Sequence, residues 1–356
     1  MRGRLQRYVG SPVSPSPWTT GFRHFIASVT PHAYEVSPVD RIDWPLRPLP
    51  TPVTDRLFAA LQDADLAAIR AAASSEELAL LDSRPDEVVR KRLLISLGVH
   101  HSIAGVLDRT GLSSAEPPDE VHSMERGWTA AGGSSFHADL VFGSLEAAVV
   151  QVQPGSRILD FGCSSGRVVR TLQPWRPDLE YFACDPNGPA IEWARANLRS
   201  IEFSANAEVP PLTFRDSFFG LVYAISIWSH FSQRAALAWF DEMHRILEPG
   251  GLLVITTHGL HSALQPGANP TRAGSPGLLG KATAGMLSSG FYFWDCFGIA
   301  GDWGVTGPDW GEAFISPEWI GNMLPPRWEM LMFATAANLG NQDLVVLRSR
   351  KPADGA

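Results

Sequence analysis

Hydrophobic positions in the middle of the chain switch between two periods. Residues 157–161 form a short apolar run that leads into a loop of small residues and then a helix start. Further runs of strand character fall at 181–184, 201–203, 221–227 and 252–257. Between them, 190–198 and 235–247 follow the 3.6-residue period of a helix packed on one face. In the second helix Ala236, Trp239, Phe240, Met243, Ile246 and Leu247 share that face. Pro189 stands near the first turn of the other helix, where a missing N–H costs nothing. Glu248-Pro249-Gly250-Gly251 ends the longer one, since proline cannot continue a helix and glycine accepts left-handed φ. Two last runs, 328–333 and 344–347, flank the short polar stretch Asn338–Asn341 and predict an antiparallel hairpin at the sheet edge. The alternation as a whole predicts an α/β fold, a doubly wound sheet of seven strands.

The first third reads differently. Residues 1–52 are rich in proline, which removes backbone donors and fixes φ, and are expected to form an extended arm. Leu57, Phe58, Leu61, Leu66 and Ile69 give 55–73 a helical pattern, and Val89, Leu93, Leu97 and Ile103 do the same for 86–107. A mainly helical N-terminal lobe over 53–125 is therefore expected. It either covers the active site or joins two copies in a homodimer, and the sequence leaves both open. The glycine-rich segment Ala131–Ser135 reads as a loop entering a helix at His137.

Composition narrows the class. The chain has 356 residues, 45% of them apolar and 19% charged, which is ample for a large buried core. A net charge of -8 argues against non-specific nucleic-acid binding, which needs a basic surface. No stretch approaches the ~20 apolar residues of a membrane span. Arginines at 2, 4 and 7 precede no uninterrupted apolar segment, so the protein is expected to be cytoplasmic. Cys163, Cys184 and Cys296 are too scattered for a disulfide framework or a zinc site, and no metal site is expected.

The chemistry gathers on the loop after the first strand, Asp160-Phe-Gly162-Cys163-Ser164-Ser-Gly166. A buried strand that delivers such a loop to a helix N-terminus is how open α/β sheets bind nucleotide-like ligands. Gly162 and Gly166 let the backbone approach a ligand closely. Their spacing is G-x-x-x-G, not the G-x-G-x-x-G of dinucleotide sites. The carboxylate of Asp160 would repel a pyrophosphate and favour a cation. Asp185, 25 residues further on at the tip of the second strand, can accept both hydroxyls of a ribose.

This stretch resembles motif I of the class I S-adenosylmethionine-dependent methyltransferases, D-x-G-x-G-x-G, with Ser164 where the middle glycine usually stands. Residues 181–198 resemble motif II, and 214–228 resemble the segment entering the fourth strand, with Gly220 in place of an aspartate. The resemblance covers roughly 125–350 and implies a Rossmann-like methyltransferase sheet over 126–356, with an acceptor-side insertion at about 260–327. It implies S-adenosylmethionine as cofactor, held by Asp160, Gly162, Cys163, Ser164, Gly166, Asp185, Pro186, Asn187, Asn206 and Ser226. In that set Asp185 takes the ribose, Asn206 the adenine edge and Ser226 the sulfur side. A helix before motif I often lies over the cofactor in this family, which makes Phe136 and His137 candidate lid contacts.

The loops carrying His230 and His258 both open on the ligand edge of the sheet, and a neutral imidazole suits a hydroxyl acceptor. His258 is the first choice as general base and His230 the second. The insertion carries aromatic and acidic residues, Phe291–Asp295, Asp302-Trp303 and Trp310-Gly-Glu312, and resembles that of a bacterial small-molecule group that also shares Gln342-Asp343. The expected reaction is methyl transfer to a small molecule, an oxygen of a sugar or natural-product intermediate. Two alternatives stand beside it: a catalytically silent interaction protein that keeps the fold, and an NAD-dependent oxidoreductase.

Overall fold

The computed structural model describes residues 48–264, 277–324 and 326–352; most of the proline-rich arm lies outside them. Five parallel strands run β1 (Arg157–Phe161), β2 (Glu180–Asp185), β3 (Glu202–Ala205), β4 (Phe219–Ala224) and β5 (Leu247–His258), in spatial order β3-β2-β1-β4-β5. The doubly wound α/β sheet expected from the sequence is thus present. The last two strands form the expected antiparallel hairpin. Asn338-Leu339-Gly340-Asn341 closes it with positive φ at both central residues, +57° and +67°, the twist that suits a two-residue connection.

Two strands were not foreseen. β6 (Phe291–Trp294) and β7 (Glu312–Ile315) make a second antiparallel hairpin inside the insertion. β8 (Trp328–Asn338) then pairs with β9 (Gln342–Ser349), and β9 runs antiparallel along β5 from Leu252↔Arg348 to His258↔Gln342. β4 pairs with β5 only as far as Ala224↔Ile255, and Ser226 then adopts a left-handed φ of +61°. β4 therefore stops short of the expected 227. On the flank it vacates, β7 meets β5 at His258↔Phe314.

Strand residues alternate between two hydrophobic cores, as the two-residue period requires. Ile158, Tyr181, Leu221, Tyr223 and Val254 face the helical N-terminal region, while Leu159, Phe182, Val222 and Ile255 face the opposite side; a bulge between Phe219 and Leu221 puts Phe219 on that opposite side too. There α9 (Gln233–Ile246) buries Ala236, Trp239, Phe240, Met243 and Ile246, with Ser232 capping its start through Ala235 N. In chain order the helices before it are α1 (Pro52–Ala59), α2 (Asp63–Ala72), α3 (Ser75–Asp82), α4 (Glu87–His100), α5 (Ala104–Thr110), α6 (Ala130–Ala147), α7 (Val169–Trp175) and α8 (Gly188–Asn197). After it come α10 (Leu260–Leu264), α11 (Leu278–Ser289) and α12 (Pro317–Met323).

The glycine-rich segment before His137 is helix, not loop. Its glycines serve close packing: a Cβ on Gly132 would lie 3.1 Å from the Arg92 carbonyl oxygen, and one on Gly133 would collide with the Glu125 carboxylate. A buried ion pair joins α4 to α6, Arg92 Nη2 to Asp139 Oδ2 at 2.9 Å. Asp139 Oδ1 also accepts the N–H groups of Val53 and Thr54 at 2.8 and 3.1 Å, capping α1 across 85 residues of sequence. No described helix is long and apolar enough to cross a membrane.

Candidate functional site

A cleft opens at the C-terminal edge of β1, β2 and β4. That is the edge where open α/β sheets bind ligands. Gly162, Ser164, Asp185, Pro186, Asn206, Ser226 and His230 line it, seven of the residues singled out in the sequence.

Asp185 organises the end of the cleft beside the loop that follows β1. Its Oδ2 accepts the Ser164 N–H at 2.7 Å and its Oδ1 the Asn187 N–H at 2.8 Å. Burial pushes its pKa up, and those two bonds oppose the shift. Each carboxylate oxygen keeps a second lone pair for a ligand hydroxyl. The loop adopts the conformation that glycine favours: φ is +81° at Gly162, +78° at Gly166 and +51° at Ser164. A Cβ on Gly162 would come within 2.2 Å of Ile227, and one on Gly166 within 2.8 Å of the Phe203 ring. Gly162 thus keeps the cleft wall close, whereas Gly166 packs beneath it. On the far side Asn206 Nδ2 donates to the Ala207 carbonyl, and Oδ1 is buried with no partner among the described residues. An orphaned acceptor there fits the exocyclic amino group of an adenine.

Other expected contacts lie off the wall. Asp160 sits inside β1 between Ala183 of β2 and Tyr223 of β4, and burial raises its pKa to about 7. Cys163 is buried behind the loop, and desolvation holds its thiol far above the usual range. Asn187 caps α8 through Ala190 N at 3.0 Å and donates from Nδ2 to the Trp303 carbonyl at 2.8 Å. His137 is drawn into the packing of α6, with Nδ1 2.9 Å from the Gly133 carbonyl and Arg167 alongside at 3.1 Å. Neither it nor Phe136 lines the cleft.

The two loop histidines are separated by their surroundings. His258 is 3% exposed and does not reach the cleft. Its Nδ1 lies 3.2 Å from the Ala313 carbonyl, and its Nε2 faces Gln342 Nε2 at 3.3 Å. Gln342 is a hub: Oε1 accepts from Ser226 Oγ at 2.9 Å, Thr256 Oγ1 at 2.8 Å and Asn338 Nδ2 at 2.8 Å. His258 therefore braces the junction of β5, β7 and β9. His230 does line the cleft. Its Nδ1 is 2.8 Å from the Gly311 carbonyl, and its ring stacks on Trp310 at 4.7 Å and 27°. A carbonyl only accepts, so Nδ1 carries the proton and Nε2 of the neutral ring is an acceptor.

Asp302, Trp303 and Trp310 from the insertion complete the wall beside His230. Burial raises the Asp302 pKa, and the neighbouring His230 opposes that shift. Glu208 ties the same insertion down by accepting the N–H groups of Thr306 and Gly307 at 3.1 and 2.9 Å. Sequence reasoning missed His122, Met124 and Glu208, none of which lies in a recognisable motif. Among the described residues one group of side chains could gather a metal ion, Glu77, His100 and His101; it lies in the helical region and lines no part of the cleft.

Residues 158–251 match a protein family described as a methyltransferase domain. An O-methyltransferase 3 of Dictyostelium discoideum is 24% identical over 116 residues, 30% of this chain. The match spans 26% of that relative's own length. Among solved structures, a SAM-dependent methyltransferase of Methanosarcina mazei shares 18% identity, covering 56% of this chain and 94% of that one with a TM-score of 0.40. The [4+2]-cyclase SpnF shares 15%, covering 65% and 85% with a TM-score of 0.40.

Proposed function

We propose that this chain, whose residues 158–251 match a methyltransferase domain, transfers a methyl group from S-adenosylmethionine to an oxygen of a small acceptor, a sugar or natural-product intermediate. When bound, S-adenosylmethionine supplies an electrophilic methyl on sulfur, transferred by in-line displacement to the acceptor oxygen. Asp185 would hold the ribose, Asn206 the adenine edge, and the backbone of 162–164 the remainder.

The observation that carries this reading is that His230 shares one cleft with those residues and has its tautomer set by Gly311. Nε2 takes the acceptor's hydroxyl proton as the new carbon–oxygen bond forms, leaving a neutral methyl ether and an imidazolium. Asp302 on the same wall stabilises that cation. A base so placed contributes roughly 10²–10⁴-fold. Holding acceptor and methyl group in line supplies on the order of 7–11 kcal/mol more. Trp303 and Trp310 offer flat surfaces for a ring, and Asp302 a partner for its hydroxyls. His258, the first choice on sequence grounds, becomes a brace that acts through Gln342 and Ser226.

The test is binding and turnover together. Calorimetry should show S-adenosylhomocysteine binding to the purified chain, and its absence would favour a silent interaction protein. With an acceptor in hand, His230→Gln should lower kcat by 10²-fold or more while cofactor affinity holds. His258→Gln should act mainly on stability. Full turnover in His230→Gln would sink the assignment of the base.

A further inference from the structure

We propose that His122 is a cofactor-positioning residue, its Nε2 accepting a hydrogen bond from an N–H or O–H donor of bound S-adenosylmethionine. The inference rests on the cofactor reading above and adds to it a contact that motif I does not supply.

His122 belongs to the irregular segment 112–126, which joins the helical region to the sheet domain. Three contacts strap that segment to the loop and helix that follow β1. Arg170 Nη1 donates to the Ala115 carbonyl at 2.5 Å. Arg167 and Glu125 form a buried ion pair at 2.9 Å. Between them, Ser164 Oγ lies 3.0 Å from the His122 carbonyl and 2.9 Å from its Nδ1. Arg126 gathers the strap from within by donating to the carbonyls of Pro117 and Val121.

A hydroxyl has one proton. At Ser164 the carbonyl takes it, so the ring contact must run the other way, from His122 Nδ1–H to Oγ. That assigns the lone pair to Nε2. Nε2 is buried and has no partner among the described residues, and His122 lines the cleft beside Ser164 and Asp185. Its ring lies against Trp303 at 4.5 Å and 31°, and the Trp303 carbonyl is held by Asn187. The ring is thus fixed from two sides while its one free acceptor is desolvated, an arrangement that costs stability unless a ligand completes it. Burial, then the charge of Arg126, lowers the His122 pKa to about 4, so the ring is neutral at pH 7.

The same geometry accounts for the serine in the loop. Glycine would adopt a φ of +51° more easily, but only a side chain can hold His122.

Two probes separate the donors: S-adenosylhomocysteine, with ribose and amino-acid arm, and 5′-deoxy-5′-methylthioadenosine, with ribose alone. Both are titrated calorimetrically into the full chain. His122→Phe keeps a ring and removes the acceptor, and should weaken S-adenosylhomocysteine on the order of tenfold without lowering the Tm of the free protein. A loss confined to that probe identifies the ammonium as donor, and a loss shared by both places the donor on the adenosine unit they have in common, a ribose hydroxyl or the adenine amino group. His122→Phe with wild-type affinity for both probes overturns the proposal. Ser164→Gly, which keeps the backbone conformation and releases the ring, should weaken S-adenosylhomocysteine severalfold; it decides the matter should the Phe variant fail to fold, unchanged affinity again counting against His122. Failure of the wild-type chain to bind either probe would instead overturn the cofactor reading itself.

Discussion

Replacing Asp160 by asparagine should stabilise this protein at neutral and alkaline pH, because the fold holds that carboxyl where its charge is poorly solvated. Asp160 is 4% exposed between β2 and β4, and its Oδ2 has no partner among the described residues. Burial raises its pKa from the ordinary 3.8 to about 7, against the opposing influences of Tyr223 and Arg167. A carboxyl whose pKa is higher folded than unfolded favours the folded state when protonated. Its contribution is complete below about pH 4, is lost as pH rises towards 7, and is flat above. At 1.36 kcal/mol for each pKa unit, that displacement corresponds to roughly 4 kcal/mol. Asparagine resembles the protonated form and does not ionise. Urea melts of both proteins from pH 4 to 8.5 should start close together and diverge until the variant leads by as much as roughly 4 kcal/mol. Asp343 is common to both proteins and its titration cancels in the difference, whereas Asp185 repels the Asp160 charge, so relief of that repulsion is part of the variant's lead. A cationic ligand near Asp160 would pull its pKa down, so cofactor binding near pH 6 should release protons, measurable by calorimetry in buffers of different ionisation enthalpy. Parallel pH profiles for the two proteins would refute the argument.

Asp185→Ala removes the acceptor of the Ser164 and Asn187 N–H groups together with the proposed ribose partner, and calorimetry should show S-adenosylhomocysteine affinity falling by well over tenfold, since each hydrogen bond to a charged group is worth about 1.5–3 kcal/mol. Asp139→Ala leaves Arg92 buried without its anion and uncaps α1; a loss of roughly 3–5 kcal/mol is expected in denaturant melts, and a change under 1 kcal/mol would mean that water reaches the guanidinium.

Much of the cleft around the loop after β1 was legible because it is local. A strand, a tight loop and a helix start occupy one short stretch, and the positive φ at 162 and 166 needs glycine whatever lies elsewhere. Asp185 was legible for the same reason, at the end of an apolar run and ahead of a proline-opened helix. The hairpin at 338–341 announces itself through its turn residues. The insertion was not legible: β6 is four consecutive aromatic residues with no polar alternation, and it becomes a strand only because β7 pairs with it.

The sequence by itself determined the alternation of the five parallel strands with the helices between them, the loop conformation after β1 and the acid at the tip of β2, since each follows from residues within a few positions of one another. The tertiary structure alone decided which side chains share the cleft. His230 and His258 look alike in sequence and both are buried, yet β7 and Gln342 enclose His258 away from the cleft, while His230, held by Gly311 and Trp310, lines it. His122 lies 42 residues from the serine it meets, in no motif. Convergence of that kind depends on how distant segments pack, and local periodicity carries no information about it.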